Sequence, residues 1–152
     1  MSKKPLPSVG IVSLGCPKNL VDTEIMLGHL QRAGHAVVPD SDARVVLVNT
    51  CGFIDRAKEE SIETILEQVE RKKRGEIDRV IVAGCMVQKY GRELAAEIPE
   101  VDAFVGLDEL ENAPAAAAGS PARPRAAARR LHPDVHLVVA RNRGAGALAE
   151  GP

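Results

Sequence analysis

Apolar runs without polar alternation recur along the chain and predict buried β-strands. The clearest are Val9–Leu14 (VGIVSL), Arg44–Asn49 (RVVLVN) and Arg79–Ala83 (RVIVA). Short continuous runs of aliphatic residues are typical of strands that are covered on both faces. Two shorter segments, His35–Val38 and Ala103–Val105, bring the predicted number of strands to about five.

Segments with helical periodicity lie between these strands. Asn19–Ala33 is followed by Gly34, a residue type that favours the left-handed conformation in which many helices end. Two later segments also carry apolar residues at helical spacing, and Pro99 ends the second of them. The positions expected to face the core are Leu20, Met26, Leu27 and Leu30 in the first helix, Ile62, Ile65, Leu66 and Val69 in the second, and Val87, Leu94, Ala95 and Ile98 in the third.

The alternation of strands and helices predicts an α/β fold in three layers. We expect an α/β/α sandwich, similar to flavodoxin, in which a mostly parallel sheet has helices on both faces. This domain should span residues 9–112 and follow a flexible amino terminus at residues 1–8. Only two Phe, one Tyr and no Trp occur, so aliphatic side chains must fill its core.

The composition changes near residue 112. Residues 1–112 carry 14 basic and 19 acidic side chains, a net charge of −5, whereas residues 113–152 carry six arginines and two acids, a net charge of +4. The second segment is also rich in Ala, with 13 of them, and only Val135–Ala140 is apolar enough to pack. This composition predicts a disordered tail over residues 113–152.

The chain contains three cysteines, an odd number that argues against a disulfide framework. No apolar stretch of signal-peptide length follows the amino terminus, and no segment reaches membrane-spanning length. We therefore expect a cytoplasmic protein without a membrane partner, in which thiols stay reduced and serve as metal ligands or reactive groups.

Each cysteine comes two residues after the last residue of a predicted strand. Cys16 ends the run VSLGC, Cys51 ends LVNTC and Cys85 ends IVAGC, with spacings of 35 and 34 residues. This spacing is typical of one βαβ unit. Because parallel strands end at the same edge of a sheet, about 4.8 Å apart, the three thiols should converge at one site.

Three converging thiols are compatible with more than one chemistry. A [4Fe–4S] cluster held by three thiolates keeps one iron open, whereas zinc would need a fourth ligand, and none of the four His lies in a loop beside a cysteine. Buried, inert cysteines are the remaining alternative. Gly15, Gly52 and Gly84 adjoin the cysteines and would let the backbone approach a bulky group.

Other common site motifs are missing from the sequence. No phosphate-binding loop or G-x-G-x-x-G follows the first strand, and no Ser-His-Asp arrangement is evident. The charged residues between Lys58 and Arg74 fit a solvated helix face. We predict no direct nucleic-acid site and assign no catalytic side chain.

Four segments resemble the amino-terminal domain of the radical-SAM methylthiotransferases. They are SLGCPKN (Ser13–Asn19), VNTCGFI (Val48–Ile54), AKEESI (Ala57–Ile62) and VAGCMVQKYG (Val82–Gly91). The residues after the first two cysteines are similar to those of the branch of the family that acts on an aspartate of small-subunit ribosomal protein twelve. The resemblance covers about residues 9–111.

This resemblance implies an auxiliary [4Fe–4S] cluster bound by Cys16, Cys51 and Cys85, with Pro17 and Asn19 supporting the first loop. It further implies that the reaction needs a radical-SAM domain, with S-adenosylmethionine and a second [4Fe–4S] cluster bound by a CxxxCxxC motif. No cysteine follows Cys85. We therefore expect a truncated fragment that is not catalytic alone, with its radical-SAM domain missing or on a separate chain.

Two alternatives to this interpretation belong to other functional classes. One is a stand-alone iron–sulfur scaffold or sulfur carrier that serves a separate radical-SAM partner. The other is a flavodoxin-like binding domain without metal.

Overall fold

Four parallel strands form the sheet in the computed structural model, which describes residues 6–15, 17–51, 55–120 and 139–140. They are β1 (Val9–Ser13), β2 (Val45–Thr50), β3 (Arg79–Gly84) and β4 (Ala103–Val105), in the order β1-β2-β3-β4. Every neighbouring pair is parallel. The predicted parallel sheet is therefore confirmed.

One of the five predicted strands, His35–Val38, is reduced to a single bridge between Val9 and Val37. The Val38 N–H donates to the Val9 carbonyl at 3.0 Å, but the chain turns at the next residue. That residue is Pro39, which has no N–H with which to extend the ladder. The bridge lies beside β1, where flavodoxin-like sheets place their second strand.

Helices cover both faces of the sheet. α1 (Pro17–Arg32) and the short α4 (Ala113–Ala118) pack on one face, and α2 (Asp55–Lys73) and α3 (Cys85–Glu97) pack on the other. A 3-10 helix, Leu107–Asn112, joins β4 to α4. The strand side chains alternate between the two faces, with Val46, Val48, Val80 and Val82 towards α2 and α3, and Val45, Leu47, Ile81 and Ala83 towards α1 and α4. The three-layer prediction is confirmed.

None of the helices in the described segments combines the length and the apolar character that crossing a membrane requires.

The buried face of α1 differs from the prediction. Met26 and Leu30 are fully buried, but Leu20 is 55% exposed. Asn19 and Thr23 occupy the buried positions near the amino end of the helix instead. These four buried residues are spaced three or four apart and so share one face. The two polar ones are buried because they hydrogen-bond to the ends of the strands, as described below.

α4 lies where the sequence predicts the start of a disordered tail. Ala113, Ala116 and Ala117 are buried against the sheet, and Val139 packs in the core on the opposite face. The packed domain therefore includes residues beyond 112. The side chains of Ala are short, so α4 can lie close to the sheet. Residues 121–138 and 141–152 of the expected tail, and residues 1–5, lie outside the described residues.

Gly10 provides a test of the packing between β1 and the turn after Pro39. A Cβ at Gly10 would lie 2.6 Å from Asp40 Cα and 2.9 Å from Asp40 N. Because backbone atoms occupy this space, we expect Gly10→Ala to lower the free energy of unfolding by about 1–3 kcal/mol. Urea unfolding of the full chain measures this change.

Gly28→Ala in α1 is the matched control for Gly10→Ala. A Cβ at Gly28 would meet only the flexible end of Arg32, at 3.6 Å. Ala favours the helical conformation over Gly, so the control should raise the free energy of unfolding by up to about 1 kcal/mol. Equal effects of the two substitutions would contradict the packing at Gly10.

Candidate functional site

Two of the predicted ligands follow neighbouring strands at one edge of the sheet. Cys51 comes directly after β2, and Cys85 comes directly after β3. Thr50 and Gly84, the last residues of these strands, are paired in parallel register. Cys51 is buried and Cys85 is half-buried. The two thiol-bearing residues thus leave the sheet side by side, from strands about 4.8 Å apart.

The loop after β1 reaches the same edge. The Leu14 N–H donates to the Asn49 carbonyl at 3.1 Å, which continues the pairing of β1 with β2. Gly15 follows with φ of +91°, and a Cβ built on it would lie 2.8 Å from the Cys51 Sγ. Glycine is required here because a side chain would both strain the backbone and collide with the thiol.

Cys16 and Gly52 lie outside the described residues. Their roles stay predictions. Within the described ranges, no group of three or more His, Cys, Asp or Glu side chains is placed to hold a metal ion. Pro17 is the first residue of α1, where the fixed φ of proline suits the start of a helix.

Asn19 links the ends of three strands. Its side-chain amide donates to the carbonyls of Leu14 at 2.6 Å and Thr50 at 2.8 Å. Its Oδ1 lies 4.0 Å from the Cys85 Sγ, which is positioned to donate to it. Asn19 is 1% exposed, so water does not compete for these contacts. One side chain therefore holds the loop after β1 against β2 and faces the thiol after β3.

A second buried amide supports Asn19. Asn49 Nδ2 donates to the Asn19 carbonyl at 2.8 Å and to Thr23 Oγ1 at 2.9 Å, and the Thr23 hydroxyl donates to Ser13 Oγ at 2.9 Å. Asn49 Oδ1 is buried without a hydrogen-bond partner among the described atoms. These bonds explain the polar buried face of α1, because an unpaired polar group there would cost about 1–3 kcal/mol.

Thr50 connects β2 to the start of α3. Its hydroxyl donates to the Ala83 carbonyl at 2.6 Å and accepts the Met86 N–H at 3.3 Å. Thr50 thereby satisfies one of the amides at the amino end of α3 from the neighbouring strand. Gly84, which precedes α3, has φ 99° and ψ −159°, a combination essentially restricted to glycine. A Cβ at Gly84 would lie 2.5 Å from the Thr50 carbonyl oxygen.

Ser61 of α2 is a residue of this edge that the sequence analysis missed. It is fully buried, and its hydroxyl accepts the Cys51 N–H and donates to the Cys51 carbonyl, both at 3.1 Å. One signal could have identified it. Ser61 lies four residues before Ile65, on the apolar face of α2, where a polar side chain needs a partner.

The described histidines lie away from this edge. His35 is buried, and its Nδ1 is 2.9 Å from the Pro7 carbonyl oxygen, at the edge where β1 begins. His29 contacts Arg32 in the last turn of α1. His132 and His136 lie outside the described residues.

The donor chemistry of the edge fits an iron–sulfur group or another soft metal, for which thiolates are the preferred ligands. Cys85 begins α3, which is kinked at Tyr90, and the amino end of a helix favours negative charge. Gly15 and Gly84 let the backbone lie close to the cysteine side chains and strand ends, where a Cβ would collide. The residues present are therefore compatible with the implied cluster.

Comparison with known proteins identifies the family to which this chain belongs. The model of a family described as "Uncharacterized protein family UPF0004" matches residues 8–106. The chain belongs to this family. The UPF0004 match includes all four strands and the positions of the three cysteines.

Several relatives of this chain have a more specific name than that of the family. The chain is 52% identical over 111 residues to "Ribosomal protein uS12 methylthiotransferase RimO" of Akkermansia muciniphila, and the alignment covers 70% of this chain and 25% of that protein. Proteins of the same name from Solibacter usitatus and Symbiobacterium thermophilum are 53% identical over 105 residues and 57% identical over 99 residues. These alignments cover 68% and 64% of this chain, and 23% and 20% of the relatives. The chain thus spans a quarter or less of the length of these relatives.

Asn19→Ala tests whether the buried amide holds the edge together. The substitution leaves the Leu14 and Thr50 carbonyls without their donor, so we expect the free energy of unfolding to fall by about 2–4 kcal/mol. The control is Asn112→Ala, which removes the same side chain from an exposed position where it makes no capping hydrogen bond. This control should change the free energy of unfolding by less than about 0.5 kcal/mol. Urea unfolding of both variants measures these changes. Equal unfolding midpoints for the two variants would contradict the role of Asn19.

Proposed function

We propose that this chain is the cluster-binding domain of a RimO-like methylthiotransferase and that Cys16, Cys51 and Cys85 bind an auxiliary [4Fe–4S] cluster. The observation that carries the proposal is the position of Cys51 and Cys85. They follow two adjacent parallel strands directly, and the loop that leads to Cys16 touches Cys51 through Gly15. The identity of about one half to RimO proteins supports the same conclusion.

Three thiolates suit the chemistry that such a domain would need. When bound, an auxiliary cluster with three protein ligands has one iron open to an exogenous sulfur ligand. The residues of this chain hold the ligands in place. Asn19 fixes the first loop against β2, and Thr50 fixes the turn from β3 into α3, from which Cys85 projects.

The complete reaction requires parts that these residues do not supply. The three cysteines of the chain are all assigned to one cluster. A radical-SAM domain, with S-adenosylmethionine and a second [4Fe–4S] cluster, must therefore act together with this domain. Because the relatives are named for ribosomal protein uS12, the proposed substrate is that small-subunit ribosomal protein, and the proposed location is the cytoplasm. The domain alone would not be catalytic.

Anaerobic reconstitution of the full chain with iron and sulfide tests the cluster. We expect about four iron and four sulfide per chain, with the broad visible absorption of a [4Fe–4S] cluster. Cys16→Ser, Cys51→Ser and Cys85→Ser should each lose most of the bound iron, because two thiolates cannot hold the cluster stably.

Gln31→Ala, at an exposed position of α1, is the control and should keep the wild-type iron content. Absence of iron and sulfide from the wild-type protein would overturn the proposal and favour a metal-free binding domain. Binding of zinc in preference to iron, without sulfide, would also overturn it. Methylthio transfer after addition of a separate radical-SAM partner would assign the chain to a split enzyme.

A further inference from the structure

The Ser61 side chain contacts the Cys51 main chain at the edge of the sheet. The Ser61 hydroxyl bonds to both main-chain groups of one residue, accepting the Cys51 N–H and donating to the Cys51 carbonyl, each at 3.1 Å. Ser61 is ten residues away, in the second turn of α2, and is fully buried. The contact therefore joins the cysteine position directly to a helix that is packed against the core.

Two bonds to one residue constrain its orientation more than one bond would. The N–H and the carbonyl of Cys51 belong to the two peptide planes that flank its Cα. Fixing both planes fixes the backbone dihedrals between them, and hence the direction in which the Cys51 side chain projects. That direction matters because the Cys51 Sγ lies against Gly15, where no space for a Cβ exists.

The main-chain bonds of the sheet do not provide this restraint. The paired register of β2 with β3 ends at Thr50 and Gly84, one residue before Cys51. The side chain of Thr50 is directed to Ala83 and Met86, and thus secures the other cysteine position. Of the contacts described at this edge, the Ser61 hydroxyl is the one that holds the Cys51 main chain from outside the sheet.

We propose that Ser61 is a positioning residue that orients Cys51 as a cluster ligand, an inference that rests on the proposed function. Ser61 does not ligate the cluster itself. Its hydroxyl keeps the Cys51 thiol against Gly15, at the edge of the sheet from which Cys85 also projects. In metal sites such supporting bonds typically change metal affinity by about 10–100-fold when they are removed.

The first test uses the full chain without metal. Cys51 is 6% exposed, so alkylation by iodoacetamide requires local opening. Ser61→Ala should raise the alkylation rate of Cys51, measured by peptide mass spectrometry, about fivefold or more relative to the rate of Cys85. Ser61→Thr keeps the hydroxyl and should restore the wild-type ratio of the two rates.

Val69→Ala is the matched control for a purely global effect. Val69 is buried on the same helix, two turns further from Cys51, and its truncation destabilises the core without touching the Cys51 contact. Cys85 is already half-buried in the native state, so the control compares Cys51 alone: at equal free energy of unfolding, adjusted with a low concentration of urea, Val69→Ala should alkylate Cys51 more slowly than Ser61→Ala. If the two variants, so matched, alkylate Cys51 at the same rate, the positioning role is overturned.

The second test uses the reconstituted protein. Iron release to a chelator should be about tenfold faster from Ser61→Ala than from the wild type, and should be unchanged in Val69→Ala. An unchanged release rate in Ser61→Ala would overturn the inference while leaving the proposed function intact. Failure of the wild-type protein to bind iron would overturn the proposed function. The two failures can be distinguished, because the first test measures alkylation rates of the metal-free protein and does not depend on iron binding.

Discussion

The parallel register of β1, β2 and β3 is the constraint on which the whole candidate site depends. Ser13 pairs with Asn49, and Asn49 pairs with Ala83. The three strands therefore end at the same edge of the sheet, at nearly the same level along the strand direction. An antiparallel neighbour would carry its following residue to the opposite edge. The helices between the strands provide the crossovers that parallel pairing requires, and for this reason residues more than thirty positions apart in sequence become neighbours.

Below this edge the domain replaces apolar packing with buried polar bonds. Asn19, Asn49, Thr50 and Ser61 are all nearly inaccessible, and each uses its side chain to satisfy a main-chain group in a loop or at the start of a helix. An aliphatic residue of similar size would fill the same space but would leave those carbonyls and amides without partners, at a cost of about 1–3 kcal/mol for each. The Cys51 main chain and the start of α3 are thus fixed by directional bonds, which define the positions of Cys51 and Cys85 more closely than non-directional apolar contacts could.

Sequence reasoning predicted the fold well because the strands are buried on both faces and therefore consist of unbroken aliphatic runs. It placed Cys51 and Cys85 at one edge for a related reason, since the end of each run is visible and parallel topology brings the ends together, whereas the position of Cys16 stays a prediction. It was less accurate where a local pattern and a long-range contact disagree. Leu20 fits the apolar stripe of α1 but is exposed, because Asn19 and Thr23 are drawn to the strand ends by Asn49 and Thr50. The alanine-rich start of the expected tail packs as α4, since the sheet offers an apolar face that composition alone does not reveal.

The sequence by itself determined the alternation of strands and helices, the three-layer architecture, and the placement of each cysteine after a strand. These features follow from periodicity and from residue types, which act over a few neighbouring positions. Only the tertiary structure decided that Gly15 touches Cys51, that Asn19 joins the loop after β1 to the end of β2 and faces Cys85, and that Ser61 holds the Cys51 main chain. Hydrogen-bond partners separated by ten to sixty-six residues depend on how elements pack against each other, and no local pattern in the chain encodes that distance.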